Sequence, residues 1–348
     1  MSYFRKNIEK AKGYEPGFQP GQNNIVKLNT NENPYPPSPA VLKALAQIKP
    51  EQLRRYPDPK GDSFRLAAAK VNGVSADYIM CCNGGDDLLT IAFRSFCDKK
   101  RIVAYSVPTY SLYPVLANLQ NCKTIEIPFD NEFNLPARLA GTNAALTIIC
   151  NPNAPSGSLI NIDELASLAD ELSGILLIDE AYVDFAKENC TRLAKEFDNV
   201  IILRSMSKGY SLAGLRFGYA IAQPALITGL MKVKDSYNID TIAIEAATAA
   251  IRDRKYFKEN IGKIKAERTR LTEQLRKLGL DVPDSSANFV LAKCGTGNAR
   301  EVYEKLTQQN IYVRYFDLHG LTDRLRITVG TKEQNDKLLC ALKEILIG

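Results

Sequence analysis

The chain has 348 residues, 45% of them apolar, enough for a sizeable core in one large or two smaller domains. Its net charge of +6 is mild and spread along the chain, which does not indicate nucleic acid and suits small anionic ligands. No run approaches the ~20 apolar residues of a membrane span, residues 1–6 lack the apolar core of a secretion signal, and one histidine, His319, is too few for a histidine-based triad or a multi-histidine metal centre.

The expectation is a cytoplasmic protein with no nucleic-acid, membrane or metal partner. The eight cysteines form no C-x-x-C pair and several sit in apolar runs, so they read as buried free thiols rather than disulfides or zinc ligands.

Residues 1–24 are polar and rich in Gly and Pro, and read as an extended arm. Leu28-Asn29-Thr30-Asn31-Glu32-Asn33-Pro34 leads into a proline-rich stretch, after which Ser38 caps a helix over 39–48 with Pro39 just inside it. Arg55-Tyr56-Pro57-Asp58 is a loop presenting Tyr56. From residue 78 strands and helices alternate. Strands are predicted at 78–82, 101–105, 123–127, 144–150, 174–178, 199–203 and 217–222. Helices fall at 88–96, after Pro108-Thr109-Tyr110, and at 161–172, where Asn161 and Glu164 form a capping box.

This alternation predicts a parallel or mixed sheet covered by helices on both faces, with ligands at the carboxyl ends of the strands. Gly84-Gly85, Tyr110, Asn151, Asp179 and the Ser205–Lys208 turn all fall at those ends. Beyond the sheet, helices are read at 223–235 and 240–252, and a long charged helix at 255–278 bridges to a smaller α+β region. That region has short strands at 280–282, 288–292, 311–314 and 325–329 and helices at 299–309 and 331–346. The expected division is an arm and start of the small domain at 1–38, a large domain at 39–252 and a small C-terminal domain at 253–348.

Lys208 follows a buried strand, where burial penalises its charge and favours the neutral, nucleophilic amine. Lysine amines form Schiff bases with carbonyl compounds, pyridoxal phosphate among them. Ser205, Ser207, Arg216 and the backbone N–H groups of Gly85 and Asp86 suit that cofactor's phosphate. Asp179 ends an apolar strand, where an unpaired carboxylate is costly and a protonated pyridine nitrogen is a fitting partner. Asn151 and Tyr182 could hydrogen-bond the ring's phenolic oxygen, and Tyr110 could stack on the ring. The same residues also admit plainer readings: a surface lysine in a Ser/Gly loop and an aspartate capping the turn after its strand.

Taken in order, Asn151-Pro152-Asn153-x-Pro155-x-Gly157, Asp179-Glu180-Ala181-Tyr182, Ser205-x-Ser207-Lys208 and Gly214-x-Arg216-x-Gly218-Tyr219 resemble the fold-type I pyridoxal-phosphate aminotransferases. The arm motif at 28–34, Arg55-Tyr56-Pro57-Asp58, Pro108-Thr109-Tyr110 and Leu325-Arg326-Ile327-Thr328-Val329-Gly330 resemble the histidinol-phosphate branch of that family.

The resemblance implies a mostly parallel seven-stranded sheet in the large domain. It implies that Lys208 attaches the cofactor and moves the substrate proton, that Asp179 meets the ring nitrogen, and that Asn151 and Tyr182 meet the ring oxygen. Arg326 would grip a substrate carboxylate, with Arg314 and Tyr14 on a substrate phosphate. Tyr56 would reach across a homodimer to the other copy's cofactor. The implied reaction exchanges an amino group between histidinol phosphate and 2-oxoglutarate. A phosphothreonine decarboxylase and an aromatic amino acid aminotransferase are alternatives on the same scaffold. Ala154 and Ser156 depart from the family's usual Asn and Thr, and Gly84-Gly85-Asp86-Asp87 is looser than the usual run. Both departures are expected to alter neighbours rather than cofactor contacts.

Overall fold

The computed structural model describes residues 2–14, 17–21, 24–295 and 298–347. In chain order the strands are β1 (Val26–Lys27), β2 (Ile79–Cys82), β3 (Val103–Val107), β4 (Thr124–Pro128), β5 (Leu146–Cys150), β6 (Ile175–Asp179), β7 (Val200–Ser205), β8 (Gly218–Ala222), β9 (Phe289–Lys293), β10 (Ile311–Tyr312), β11 (Arg314–Tyr315) and β12 (Arg324–Thr328).

Seven of them form one sheet in the order β2-β8-β7-β6-β5-β3-β4. Only β8 runs against the others, so the sheet is mostly parallel. The central strands are apolar at nearly every position, as expected where helices cover both faces. Along β6, Leu176 and Ile178 pack into one core and Leu177 into the other, following the two-residue alternation of a strand.

The same alternation splits the acidic pair at the end of β6. Asp179 points to the Leu177 side, and Glu180 lies buried among other groups. Glu180 accepts from Arg204 Nε at 2.6 Å and from the Cys190 N–H at 2.6 Å. Arg204 also donates to Thr191 Oγ1 at 3.0 Å, so this interior ion pair is saturated by its neighbours.

A second body carries a three-stranded antiparallel sheet, β11-β12-β9, with the helices Ala299–Gln308 and Lys332–Ile347. Separately, β1 pairs in parallel with β10, tying the arm to the C-terminal region. The helix Arg254–Lys277 touches both bodies: Arg268 Nη1 donates to the carbonyls of Phe185 and Ala287, at 3.2 and 2.7 Å.

Several expectations need correction. The arm is not wholly extended, because Lys6–Lys10 is helical and neighbouring side chains reach the helix Leu112–Gln120: Asn7 Nδ2 donates to the Asn118 carbonyl at 2.8 Å. Residues 280–282 make only an isolated bridge, Asp281 with Lys293, and no strand. The strand read at 311–314 is two short strands in different sheets, β10 and β11. The helix Asp62–Asn72 is missing from the sequence reading, although its apolar face, Phe64, Ala68 and Ala69, is buried under β2 and β8.

Glu180→Ala strands the buried guanidinium of Arg204. The loss expected for breaking such a pair is about 3–5 kcal/mol of folding free energy. Urea unfolding of the cofactor-free protein measures it, and a loss below about 1 kcal/mol would show that the pair contributes little to folding.

Candidate active site

The carboxyl ends of β5, β6 and β7 and the turn after β2 open on a cavity of about 260 Å3, closed on its far side by residues of the arm and of β11 and β12. The carboxylate of Asp179 lies at its floor, 3% exposed. Tyr113 OH donates to Oδ2 at 2.8 Å and the Ala181 N–H donates to Oδ1 at 3.1 Å. Burial raises its pKa from 3.8 to about 6, with the two hydrogen bonds pulling the other way.

Lys208 sits on the tight turn after β7, partly buried, with Nζ donating to the Thr30 carbonyl at 3.2 Å. Burial, helped by the positive charges of Arg326 and Arg216, lowers its pKa to about 8. The neutral amine is therefore far easier to reach near neutral pH than for an ordinary lysine. Tyr182 is 9% exposed, and burial pushes its hydroxyl up to about 12, so it stays protonated.

At the open side, Gly84 has φ +82° and starts the helix Gly85–Phe96, whose first residues, Gly85 and Asp86, line the cavity. A Cβ at Gly84 would come within 2.9 Å of Arg216 Nη2, so glycine lets the guanidinium lie against the turn. Arg216 Nη1 is 3.5 Å from Ser207 Oγ, and Nη2 pairs with Asp86 Oδ2 at 3.0 Å. Ser205 Oγ accepts from the Ser207 N–H at 3.2 Å. Tyr110 forms a side wall, its hydroxyl on Asp86 Oδ1 at 3.1 Å and its ring edge-on to Tyr14 at 5.9 Å.

On the opposite wall Arg326 donates to the Asn29 carbonyl at 3.0 Å, between the rings of Phe289 and Phe316 at 5.3 and 5.4 Å. Its Nε is buried with no hydrogen-bond partner. Arg314 also lines the cavity, over Phe316 at 5.4 Å.

The cavity therefore gathers Lys208, Asp179, Tyr182, Gly85, Asp86, Tyr110, Ser205, Ser207, Arg216, Arg314, Arg326 and Tyr14. Asn151 fastens the loop that follows β5: its Oδ1 accepts from the Ile160 N–H at 2.8 Å and its Nδ2 donates one hydrogen to the Ile160 carbonyl at 3.1 Å, leaving the second Nδ2 hydrogen for another acceptor. It does not line the cavity; Cys150 and Ala154 do, so the departure at Ala154 falls in the wall itself.

Tyr56 is also outside this chain's cavity. It is 80% exposed and stacks on Tyr237 at 4.5 Å. His319 is exposed, while its neighbours Leu318 and Leu321 reach the cavity.

Reasoning from sequence missed Tyr113, whose only signal is its place in the first turn of the helix after β3. It also gave no role to Asn31 or to Phe316. Among the described residues no cluster of three or more His, Cys, Asp or Glu could hold a metal ion, and no helix is long and apolar enough to cross a membrane.

The sequence matches the family Aminotransferase class I and II over residues 23–342. The chain belongs to that family of aminotransferases. It is 51% identical to histidinol-phosphate aminotransferase 1 of Trichormus variabilis, covering 99% of each chain. It is 49% identical to histidinol-phosphate aminotransferase 1 of a Nostoc species, covering 99% of this chain and 98% of the relative. A crystal structure of the Sinorhizobium meliloti histidinol-phosphate aminotransferase in complex with pyridoxal-5'-phosphate superposes with a TM-score of 0.91 at 27% identity, covering 100% of this chain and 98% of that one. Within the family the chain falls in the histidinol-phosphate aminotransferase branch.

The raised pKa of Asp179 carries a stability cost with a definite sign. The folded protein holds this proton more tightly than the unfolded chain, so the contribution is full below about pH 4 and is lost as pH rises through about 6. Two units correspond to at most about 3 kcal/mol in the cofactor-free protein. Asp179→Asn removes that decline. Melts of both cofactor-free proteins from pH 4 to 7 should diverge in favour of the variant as pH rises, and parallel curves would contradict the assignment.

Proposed function

We propose that the protein exchanges an amino group between histidinol phosphate and 2-oxoglutarate, giving imidazole-acetol phosphate and glutamate, with pyridoxal 5'-phosphate as cofactor. The observation that carries the reading is the meeting, in one cavity, of a lysine amine with lowered pKa, a buried carboxylate and two arginines on the facing wall. Full-length identity of 51% to a histidinol-phosphate aminotransferase supports the choice of substrate.

The residues fit the cofactor. Arg216, Ser205, Ser207 and the N–H groups of Gly85 and Asp86 offer donors to its phosphate, and the carboxylate of Asp179 matches a protonated ring nitrogen. Bound there, the cofactor supplies an electron-accepting ring and carries the amino group between the two half-reactions.

The chain's own groups do the rest. Lys208 would supply the attaching amine, and the same Nζ is the base that would take the substrate's Cα proton. The Thr30 carbonyl holds that amine in place. Tyr113 and the Ala181 N–H fix the carboxylate of Asp179, which would meet the ring nitrogen. Tyr182 would donate to the ring oxygen, and Tyr110 would wall the ring. Arg326 takes a substrate carboxylate through a two-pronged contact. Arg314 and Tyr14 take a substrate phosphate, so one pocket serves both glutamate and the phosphorylated amine. Tyr56 acts across a homodimer, reaching the phosphate of the other copy's cofactor. Its exposure and its stack on Tyr237 support that reading.

Rates with histidinol phosphate, phenylalanine and phosphothreonine, measured side by side, test the assignment. The expected order puts histidinol phosphate first in kcat/KM, with no carbon dioxide released from phosphothreonine. Arg314→Ala should raise KM for histidinol phosphate by roughly 10-fold to 100-fold and leave the cofactor spectrum unchanged. A preference for phenylalanine, or decarboxylation of phosphothreonine, would move the protein to another branch.

A further inference from the structure

We infer that Asn31 is a positioning residue: with Thr328 it forces the Tyr182 hydroxyl to donate its hydrogen into the cavity. The inference rests on the reading of Tyr182 as the donor to the cofactor's ring oxygen.

All three side chains are withdrawn from solvent: Asn31 is 1% exposed, Thr328 3% and Tyr182 9%. The direction of each hydrogen follows from what its neighbours can do. The Asn31 backbone N–H donates to Thr328 Oγ1 at 3.0 Å. That oxygen is thereby an acceptor, and its own hydrogen goes to Asn31 Oδ1 at 3.1 Å. With Oδ1 committed, the other end of the amide, Nδ2, faces Tyr182 Oη at 3.0 Å and donates to it. The opposite amide orientation would leave the threonine hydrogen with no acceptor among these groups.

Tyr182 therefore receives a hydrogen bond from Asn31 and finds no acceptor there. Its own hydrogen turns to the cavity it lines.

Two further observations make the residue type specific. Asn31 has φ +55°, a left-handed conformation that asparagine tolerates better than most side chains. Asn288 Nδ2 donates to the Asn31 carbonyl at 2.9 Å and holds the backbone there. The direction of the Tyr182 hydroxyl is thus set from behind the cavity wall. The arm motif at 28–34 acquires a task here: it brings an amide to the back of Tyr182.

The test is a pH titration of the visible absorbance of the bound cofactor in the holoenzyme without substrate. Tyr182→Phe removes the donor, lets the ring oxygen hold the neighbouring proton more tightly, and should raise the midpoint by roughly one pH unit. Asn31→Asp replaces the donating NH2 by an acceptor, draws the tyrosine hydrogen backwards, and should raise the midpoint similarly. The double variant should add nothing to Tyr182→Phe alone. Should Asn31→Asp fail to yield soluble holoenzyme, Thr328→Val and Thr328→Ser carry the test: valine frees the amide and shifts the midpoint upward, and serine restores it. A wild-type titration in Tyr182→Phe would overturn the reading of Tyr182 itself. A shift in Tyr182→Phe with none in Asn31→Asp or Thr328→Val would overturn the relay and leave Tyr182 in place.

Discussion

Asp179 is a carboxylate at the end of an apolar strand, under the full depth of the fold, held by a tyrosine hydroxyl and a backbone N–H rather than by a cation of the protein. Such a group costs stability, and the fold accepts that cost where it gains a partner from outside. On the proposed reading a pyridinium is that partner, and Lys208, Arg216 and Tyr182 stand where strand and turn would let them reach the aldehyde, phosphate and ring oxygen of the same cofactor.

The sheet delivers this arrangement through simple alternation. Asp179 and Glu180 are adjacent, yet one serves the cavity and the other closes a buried ion pair with Arg204. Their division follows from the pleat and from which face each core occupies. Lys208 obeys a related logic. Burial and the arginines around it lower its pKa, and the same arginines attract anionic substrates. The cavity is thus positive overall, with one deliberate negative group at its floor.

The parts of the site legible in the sequence are those where burial and charge conflict within a few residues. Asp179 after four apolar residues and Lys208 after an apolar strand are of this kind. So is the alternation that builds the large sheet, because strands buried on both faces leave nearly continuous apolar runs. Other parts depend on contacts distant in the chain. The pairing of β1 with β10 joins residues 26–27 to 311–312 and leaves no local pattern in such short strands. The helix Asp62–Asn72 is amphipathic but small-residue rich, and its packing partners lie elsewhere. Asn151 shows the sharper limit: its place at a strand end is legible, yet its two bonds to Ile160 depend on how the proline-bearing loop folds back. Tyr113 and Asn31 act only through Asp179 and Tyr182, so nothing near them in sequence announces their tasks.

The central claim is that the amine of Lys208 is the point of covalent attachment for the cofactor. Borohydride reduction of cofactor-saturated protein, followed by peptide mapping in a mass spectrometer, tests it directly. The account predicts a reduced pyridoxyl adduct on the peptide containing residue 208 and on no other lysine. An unmodified peptide there, or an adduct on a different lysine, would contradict it.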